Sequence, residues 1–131
     1  MKHNVMLPIA SLLTMLLLTF HLTDDILRGM APGGFMNLFG TLFLVVWLYG
    51  TLVLAERRSG YVIVLLASLL GSGIPAMHMR GAGLGAGRGS GFFFVWTLLA
   101  VGAAALFSVV LSVRGLWSLR RGRSPRVTAE R

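Results

Sequence analysis

Side chains able to bind a metal ion are rare in this sequence and occur in two short segments. His21, Asp24 and Asp25 form the pattern His-x-x-Asp-Asp, and a second histidine lies in Met77-His78-Met79. Residues three and four apart share one face of a helix, so the first three side chains point the same way if the helix continues past Leu22. Two imidazoles with one or two carboxylates are a donor set for Zn²⁺ or a similar divalent ion.

Two other cofactors fit parts of this pattern. Thioether and imidazole donors suit Cu(I), so Met77, His78 and Met79 would bind copper rather than a harder ion. His21 and His78 would alternatively hold one b-type haem between two helices as its axial ligands. The sequence requires no cofactor, because it contains no complete metal-binding signature such as His-Glu-x-x-His.

The same polar residues also have a purely structural interpretation. Asp24 lies four residues before Arg28, which is the spacing of an ion pair on an exposed helix end. Asp24 and Asp25 are adjacent, so on a helix they diverge by about 100° and form a poor acid–base pair. The glycine-rich segment 81–91 lacks the Gly-Lys-Ser/Thr ending of a phosphate loop, and no serine lies in a Gly-x-Ser-x-Gly motif. We therefore expect no enzymatic activity.

Composition indicates that these residues belong to an integral membrane protein. Of the 131 residues, 56% are hydrophobic and 12% charged, and the mean hydropathy is +0.81. Soluble domains are about 45–50% apolar and about 25% charged. A soluble domain of this length could not bury so much apolar surface, so we expect neither a soluble enzyme nor a nucleic-acid-binding protein. The absence of cysteine excludes disulfides and thiolate metal sites.

Four apolar segments approach or exceed the roughly 20 residues that a helix needs to cross a bilayer. We predict an all-α, polytopic membrane protein whose four transmembrane helices pack as a bundle within residues 1–119, followed by an arginine-rich cytoplasmic tail over 120–131. The first span is expected to be retained, because it is longer than a signal-peptide core and no small-residue cleavage site follows it. The spans run from about residue 5 to 22, 35 to 55, 61 to 77 and 92 to 117.

Basic residues predict the orientation of the chain. Four spans place both termini and the connector 56–60 on one side, which then carries nine Lys and Arg residues against three on the other. The positive-inside tendency therefore predicts that both termini are cytoplasmic. The expected partners are the lipid bilayer and its anionic headgroups, which would meet the basic residues Arg57, Arg58, Arg120, Arg121 and Arg123.

Small residues predict how the helices associate, because they allow close backbone approach within lipid. The fourth span carries a stripe of four, the third carries two, and Pro75 near its end is expected to kink or unwind the turn that leads to His78. The stripes pack either within the chain or against a second copy. We therefore predict an oligomeric or accessory membrane subunit, with binding or transport of a metal ion or small solute as the alternative. The packing residues are Ala100, Ala104, Ser108 and Ser112, with Ala67 and Gly71.

Overall fold

The computed structural model describes residues 5–29, 34–80 and 91–121, without the side chains of Met36, Met79 and Arg80. These residues form four helices and no strand, packed together, which confirms the predicted all-α bundle. The arginine-rich tail from 122 onward, including Arg123, and most of the glycine-rich segment lie outside the described residues. The helices are α1 (Met6–Leu27), α2 (Phe35–Leu52), α3 (Arg58–Arg80) and α4 (Phe92–Arg121).

Three of the four helices are long and apolar enough to cross a membrane, namely α1, α3 and α4. The fourth, α2, has 18 residues and therefore spans about 27 Å, slightly less than the roughly 30 Å of a hydrocarbon core. Large aliphatic and aromatic side chains cover the outside of the bundle, while small and polar ones occupy much of its interior. This distribution is the one expected when the solvent around the helices is lipid.

Neighbouring helices along the chain run antiparallel, so the bundle has two distinct ends. The histidine end holds His21 and His78, and the arginine end holds Arg57, Arg58 and Arg120. Two contacts of α1 show this arrangement. Ser11, near the start of α1, contacts Thr51 near the end of α2, and His21, near the end of α1, contacts Thr97 near the start of α4. Helices α1 and α3 therefore run towards the histidine end, and α2 and α4 return from it.

The two helices that carry the histidines differ from the expected form at their ends. Helix α1 continues past Leu22 to Leu27, and α3 is unbroken through Pro75 to Arg80, so the expected unwinding of its last turn does not occur. The proline ring instead packs against α4, where a Cβ atom at Gly102 would lie 2.7 Å from the Pro75 Cγ. Pro75 is thus a packing residue, and the helix carries His78 to the end of the bundle.

Small residues bring α3 and α4 together inside the chain. A Cβ atom at Gly71 would lie 3.3 Å from the Cβ of Ala105, and Ala67 and Ser108 are buried. The inward face of α4 also includes Ser112, which is buried. Ala100 and Ala104, by contrast, are only partly buried at the edge of the core. Packing within the chain therefore buries two of the four stripe residues on α4, Ser108 and Ser112, and association with a second copy stays a prediction.

Candidate metal centre

Three side chains from two helices converge at the histidine end, and we call them the His–Asp cluster: His21, Asp25 and His78. Each imidazole Nε2 lies 3.7 Å from the same carboxylate oxygen, Asp25 Oδ2. One ligand atom from each residue lies within 4.8 Å of both others. The His21 and His78 ring centroids are 5.1 Å apart, in edge-to-face contact. The structure thus joins the two sequence segments that contained candidate ligands.

Of the two adjacent aspartates that the sequence placed on one face with His21, only Asp25 enters this cluster. His21 and Asp25 are four residues apart on the inward face of α1, and both are buried. Asp24 lies about 100° further around the helix and forms an ion pair with Arg28, whose Nε is 2.7 Å from its Oδ2. Asp24 therefore forms the ion pair that its spacing to Arg28 predicted, and Asp25 is the candidate metal ligand.

The hydrogen-bond partners of the two imidazoles assign their tautomers. His78 Nδ1 lies 3.0 Å from the Ile74 carbonyl oxygen, which can only accept, so Nδ1 carries the proton. His21 Nδ1 lies 3.4 Å from Thr97 Oγ1, and the Thr97 hydroxyl donates its own proton to the Phe93 carbonyl at 2.9 Å. Thr97 Oγ1 therefore accepts from His21. When both rings are neutral, each therefore directs an Nε2 lone pair towards the Asp25 carboxylate.

In that neutral state, the His–Asp cluster contains acceptors and no donor among the described residues. His21 Nε2 and Asp25 Oδ1 are buried without a hydrogen-bond partner there, a condition that costs about 1–3 kcal/mol for each neutral group and more for a charged one. The two other such atoms, in Ser68 and Ser112, are hydroxyls that can rotate to donate to a helix carbonyl. A lone pair cannot rotate to become a donor, so with both rings neutral the cluster lacks a positive charge that either a proton on an imidazole or a metal ion would supply.

The distances suit a small metal ion. A tetrahedral ion that binds nitrogen and oxygen at about 2.0–2.2 Å holds its ligand atoms about 3.4 Å apart. The two His–Asp separations are 3.7 Å, and all three ligand atoms lie within 4.8 Å of one another. The Ile74 carbonyl and the Thr97 hydroxyl occupy the positions of outer-shell groups, which orient ligating histidines through the other ring nitrogen. Closure of the cluster around an ion thus needs only small side-chain movements.

Two residues of α4 that the sequence did not single out complete the surroundings. The Phe94 ring packs against both imidazoles, with centroid distances of 5.1 Å to His21 and 5.6 Å to His78. The Arg28 guanidinium lies 5.9 Å from the centre of the same ring. Phe94 and Thr97 lie three residues apart on one helix face, yet neither residue type signals a metal site. Only the packing of α4 against α1 and α3 assigns them a role.

The sequence also predicted Met77 and Met79 as ligands. Met77 is 74% exposed and is not part of the His–Asp cluster, and the Met79 side chain lies outside the described residues. The two imidazoles contact each other directly, with Asp25 beside both of them. That arrangement favours a compact ion over a haem, whose porphyrin plane separates its two axial histidines.

A second group of buried polar side chains lies towards the arginine end of the bundle, and we call it the hydroxyl cluster: Ser11, Trp47 and Thr51. Trp47 Nε1 donates to Ser11 Oγ at 2.8 Å, and Thr51 Oγ1 donates to the Trp47 carbonyl at 2.9 Å. Ser11 and Thr51 are 2.8 Å apart, so Ser11 donates to Thr51. Each donor has one acceptor, and this group needs no ion.

The candidate site thus consists of two imidazole nitrogens and one carboxylate at one end of a helix bundle. Four of the five arginines predicted to meet lipid fall within the described residues and lie at the other end, where Arg121 stacks on Trp117. The site offers three ligands to an ion and leaves further coordination positions for water or another ligand. No protein-family model, curated protein or solved structure matches this chain.

Proposed function

We propose that this membrane helix bundle binds one divalent transition-metal ion through His21, Asp25 and His78. The observation that supports the proposal is the convergence of two Nε2 lone pairs on one buried carboxylate without any donor among the described residues. A divalent cation supplies the missing positive charge and accepts all three lone pairs at once. It therefore removes the cost of leaving those groups buried and unpaired.

The donor set narrows the class of ion. Ca²⁺ and Mg²⁺ prefer ligand sets made only of oxygen, whereas imidazole suits Zn²⁺, Fe²⁺, Ni²⁺ and Cu²⁺. Two histidines with one carboxylate are also the ligands of open non-haem iron sites. Three protein ligands leave positions free, as in sites where a bound water or substrate exchanges. We infer a site that exchanges ligands rather than a closed structural one.

Burial indicates the direction from which an ion enters. The His21 side chain is only 1% exposed, while the side chains of Asp25 and His78 are 12% and 23% exposed. An ion can therefore meet the carboxylate and His78 first, and His21 afterwards. This order requires no opening of the packed interior of the bundle, so binding needs only local movement at the histidine end.

A Zn²⁺ titration of the detergent-purified protein tests the proposal. We expect one saturable binding event by calorimetry, and we expect Asp25→Asn and His78→Ala each to weaken it by about 100-fold or more. Asp24→Asn is the matched control, because it removes a neighbouring carboxylate that contacts Arg28 instead. Absence of saturable binding, or equal loss in the two aspartate variants, would contradict the proposal.

A proton is the other cation that this arrangement can hold, and pH separates the two occupants. Bound metal requires neutral histidine, so protons compete with Zn²⁺ for the same lone pairs. We expect the Zn²⁺ affinity to fall by at least about tenfold between pH 7.5 and pH 5.5, the latter being below the ordinary histidine pKa of about 6.5. An affinity independent of pH over this range would show that the imidazoles are not ligands.

A further inference from the structure

A groove between the start of α3 and the end of α4 combines positive charge with apolar walls. We call it the arginine groove; its charged rim includes Arg57, Arg58 and Arg120, and its volume is about 780 Å³. Its walls include the aliphatic side chains of Val62 and Val113. One carboxylate, Glu56, also lines it, so its formal charge is positive by two. Its volume lies within the usual range of small-molecule sites, about 300–1,000 Å³.

We propose that the arginine groove binds one anionic glycerophospholipid. Guanidinium groups bind phosphate oxygens through paired hydrogen bonds, so Arg57, Arg58 and Arg120 would hold the headgroup phosphate. The aliphatic walls at Val62 and Val113 would contact the upper part of an acyl chain. A soluble phosphate compound would leave those walls exposed, whereas a phospholipid satisfies both parts of the groove.

The position of the groove along the bundle matches that occupant. Helix α4 has 30 residues and is therefore about 45 Å long, which exceeds a hydrocarbon core of about 30 Å. Its last turns consequently extend into the headgroup region, where Arg120 meets phosphates. Trp117, which also lines the groove, is of the residue type that favours the interface between hydrocarbon and headgroups.

Adjacent arginines at the end of α4 provide a matched pair for testing the site. Arg120 lines the arginine groove, whereas the Arg121 guanidinium stacks over the Trp117 ring at 4.4 Å from its centre. Removing either residue lowers the net charge by the same amount. A general attraction to anionic membranes would therefore weaken equally in both variants, while a defined site distinguishes them. This site lies at the opposite end of the bundle from the His–Asp cluster and does not depend on metal binding.

Native mass spectrometry of the detergent-purified full chain measures this binding. Dioleoylphosphatidylglycerol is the probe, and dioleoylphosphatidylcholine, with the same acyl chains, is the neutral comparison. We expect one molecule of the anionic lipid to bind saturably, at least about fivefold more tightly than the neutral lipid. We expect Arg120→Ala to weaken it about fivefold and the triple variant Arg57→Ala/Arg58→Ala/Arg120→Ala more, while Arg121→Ala retains the affinity of the unaltered chain.

Two results would overturn the proposal. If Arg120→Ala and Arg121→Ala weakened lipid binding equally, and binding did not saturate, the basic residues would attract anionic lipid only through their general positive charge. Displacement of the lipid by millimolar glycerol phosphate would show that the arginines bind phosphate without using the apolar walls. The variants replace exposed side chains, and an unchanged circular dichroism melting curve checks that each remains folded. Loss of folding in the triple variant would leave the Arg120 and Arg121 comparison to decide.

Discussion

The hydroxyl cluster and the His–Asp cluster are both buried polar groups in an apolar bundle, yet their hydrogen bonding differs. In the hydroxyl cluster, Trp47 donates to Ser11, Ser11 to Thr51, and Thr51 to a backbone carbonyl. In the His–Asp cluster, two imidazoles present lone pairs to the carboxylate of Asp25. The hydroxyl cluster is complete with its own protons, whereas the His–Asp cluster with neutral rings lacks a donor.

This difference separates polar residues that hold the fold from those that bind a ligand. A balanced network in lipid contributes modest stability, on average about 0.6 kcal/mol for each hydrogen bond. A buried network with unpaired acceptors destabilises the fold until a cation binds to it. Burial of polar atoms alone therefore does not identify a site. Comparing the number of hydrogen-bond donors with the number of acceptors does identify one, because a buried group with too few donors is stabilised by a cation.

The largest expected effect removes the centre of the hydroxyl cluster. Trp47 is fully buried, so Trp47→Ala should lower the free energy of unfolding by about 3–5 kcal/mol while any folded protein keeps its Zn²⁺ affinity within about twofold. Denaturant titration in detergent measures the stability and calorimetry measures the binding. Trp96→Ala is the control, because that side chain is half exposed. A large loss of Zn²⁺ affinity in folded Trp47→Ala would remove the distinction between the clusters.

The second prediction inverts the usual effect of deleting a buried polar group. In metal-free protein at pH 8, Asp25→Asn should raise the free energy of unfolding by about 1–3 kcal/mol, because the amide is neutral and donates to an unpaired imidazole nitrogen. Zn²⁺ at about 100 times its Kd should stabilise the unaltered chain by about 2.7 kcal/mol, and Asp25→Asn by about 0.4 kcal/mol or less. Unfolding measured with chelator and with Zn²⁺ gives both values. Destabilisation of the metal-free Asp25→Asn protein would refute the assigned deficit of donors.

A third prediction concerns the group that orients His21. Thr97→Val keeps the approximate shape but removes the acceptor for His21 Nδ1, so Zn²⁺ affinity should fall about tenfold. The matched control is Thr23→Val, since Thr23 donates only to the carbonyl of Thr19 in its own helix. Calorimetric titration of both variants checks the expectation. Equal affinities would show that Thr97 does not set the ring orientation.

The smallest expected effect tests the balance of the hydroxyl cluster. Ser11→Ala removes the acceptor of the Trp47 indole and the donor to Thr51, and we expect a loss of about 1 kcal/mol in the free energy of unfolding. Ser72→Ala serves as the control, because Ser72 donates only to the Leu69 carbonyl of its own helix. Denaturant titration in detergent compares them. Stabilisation by Ser11→Ala would show that this cluster is also incomplete.

Local features of the sequence were sufficient for much of the fold. Four apolar segments predicted four helices, because backbone groups in lipid must be satisfied within each helix. Helical periodicity placed His21, Asp24 and Asp25 on one face without choosing between the aspartates, and the four-residue spacing predicted the ion pair of Asp24 with Arg28. Each of these results depends on residues within one or two turns of each other, so no knowledge of distant contacts was needed.

The sequence by itself thus determined the helices, the scarcity of polar chemistry and the candidate ligands on α1. Only the tertiary structure decided that His78 meets Asp25, that Thr97 and Phe94 adjoin the rings, and that α4 uses its small residues within the chain. The physical reason is that helix formation in lipid is a local requirement of the backbone. Helix pairing, by contrast, depends on the fit of whole surfaces from distant parts of the chain.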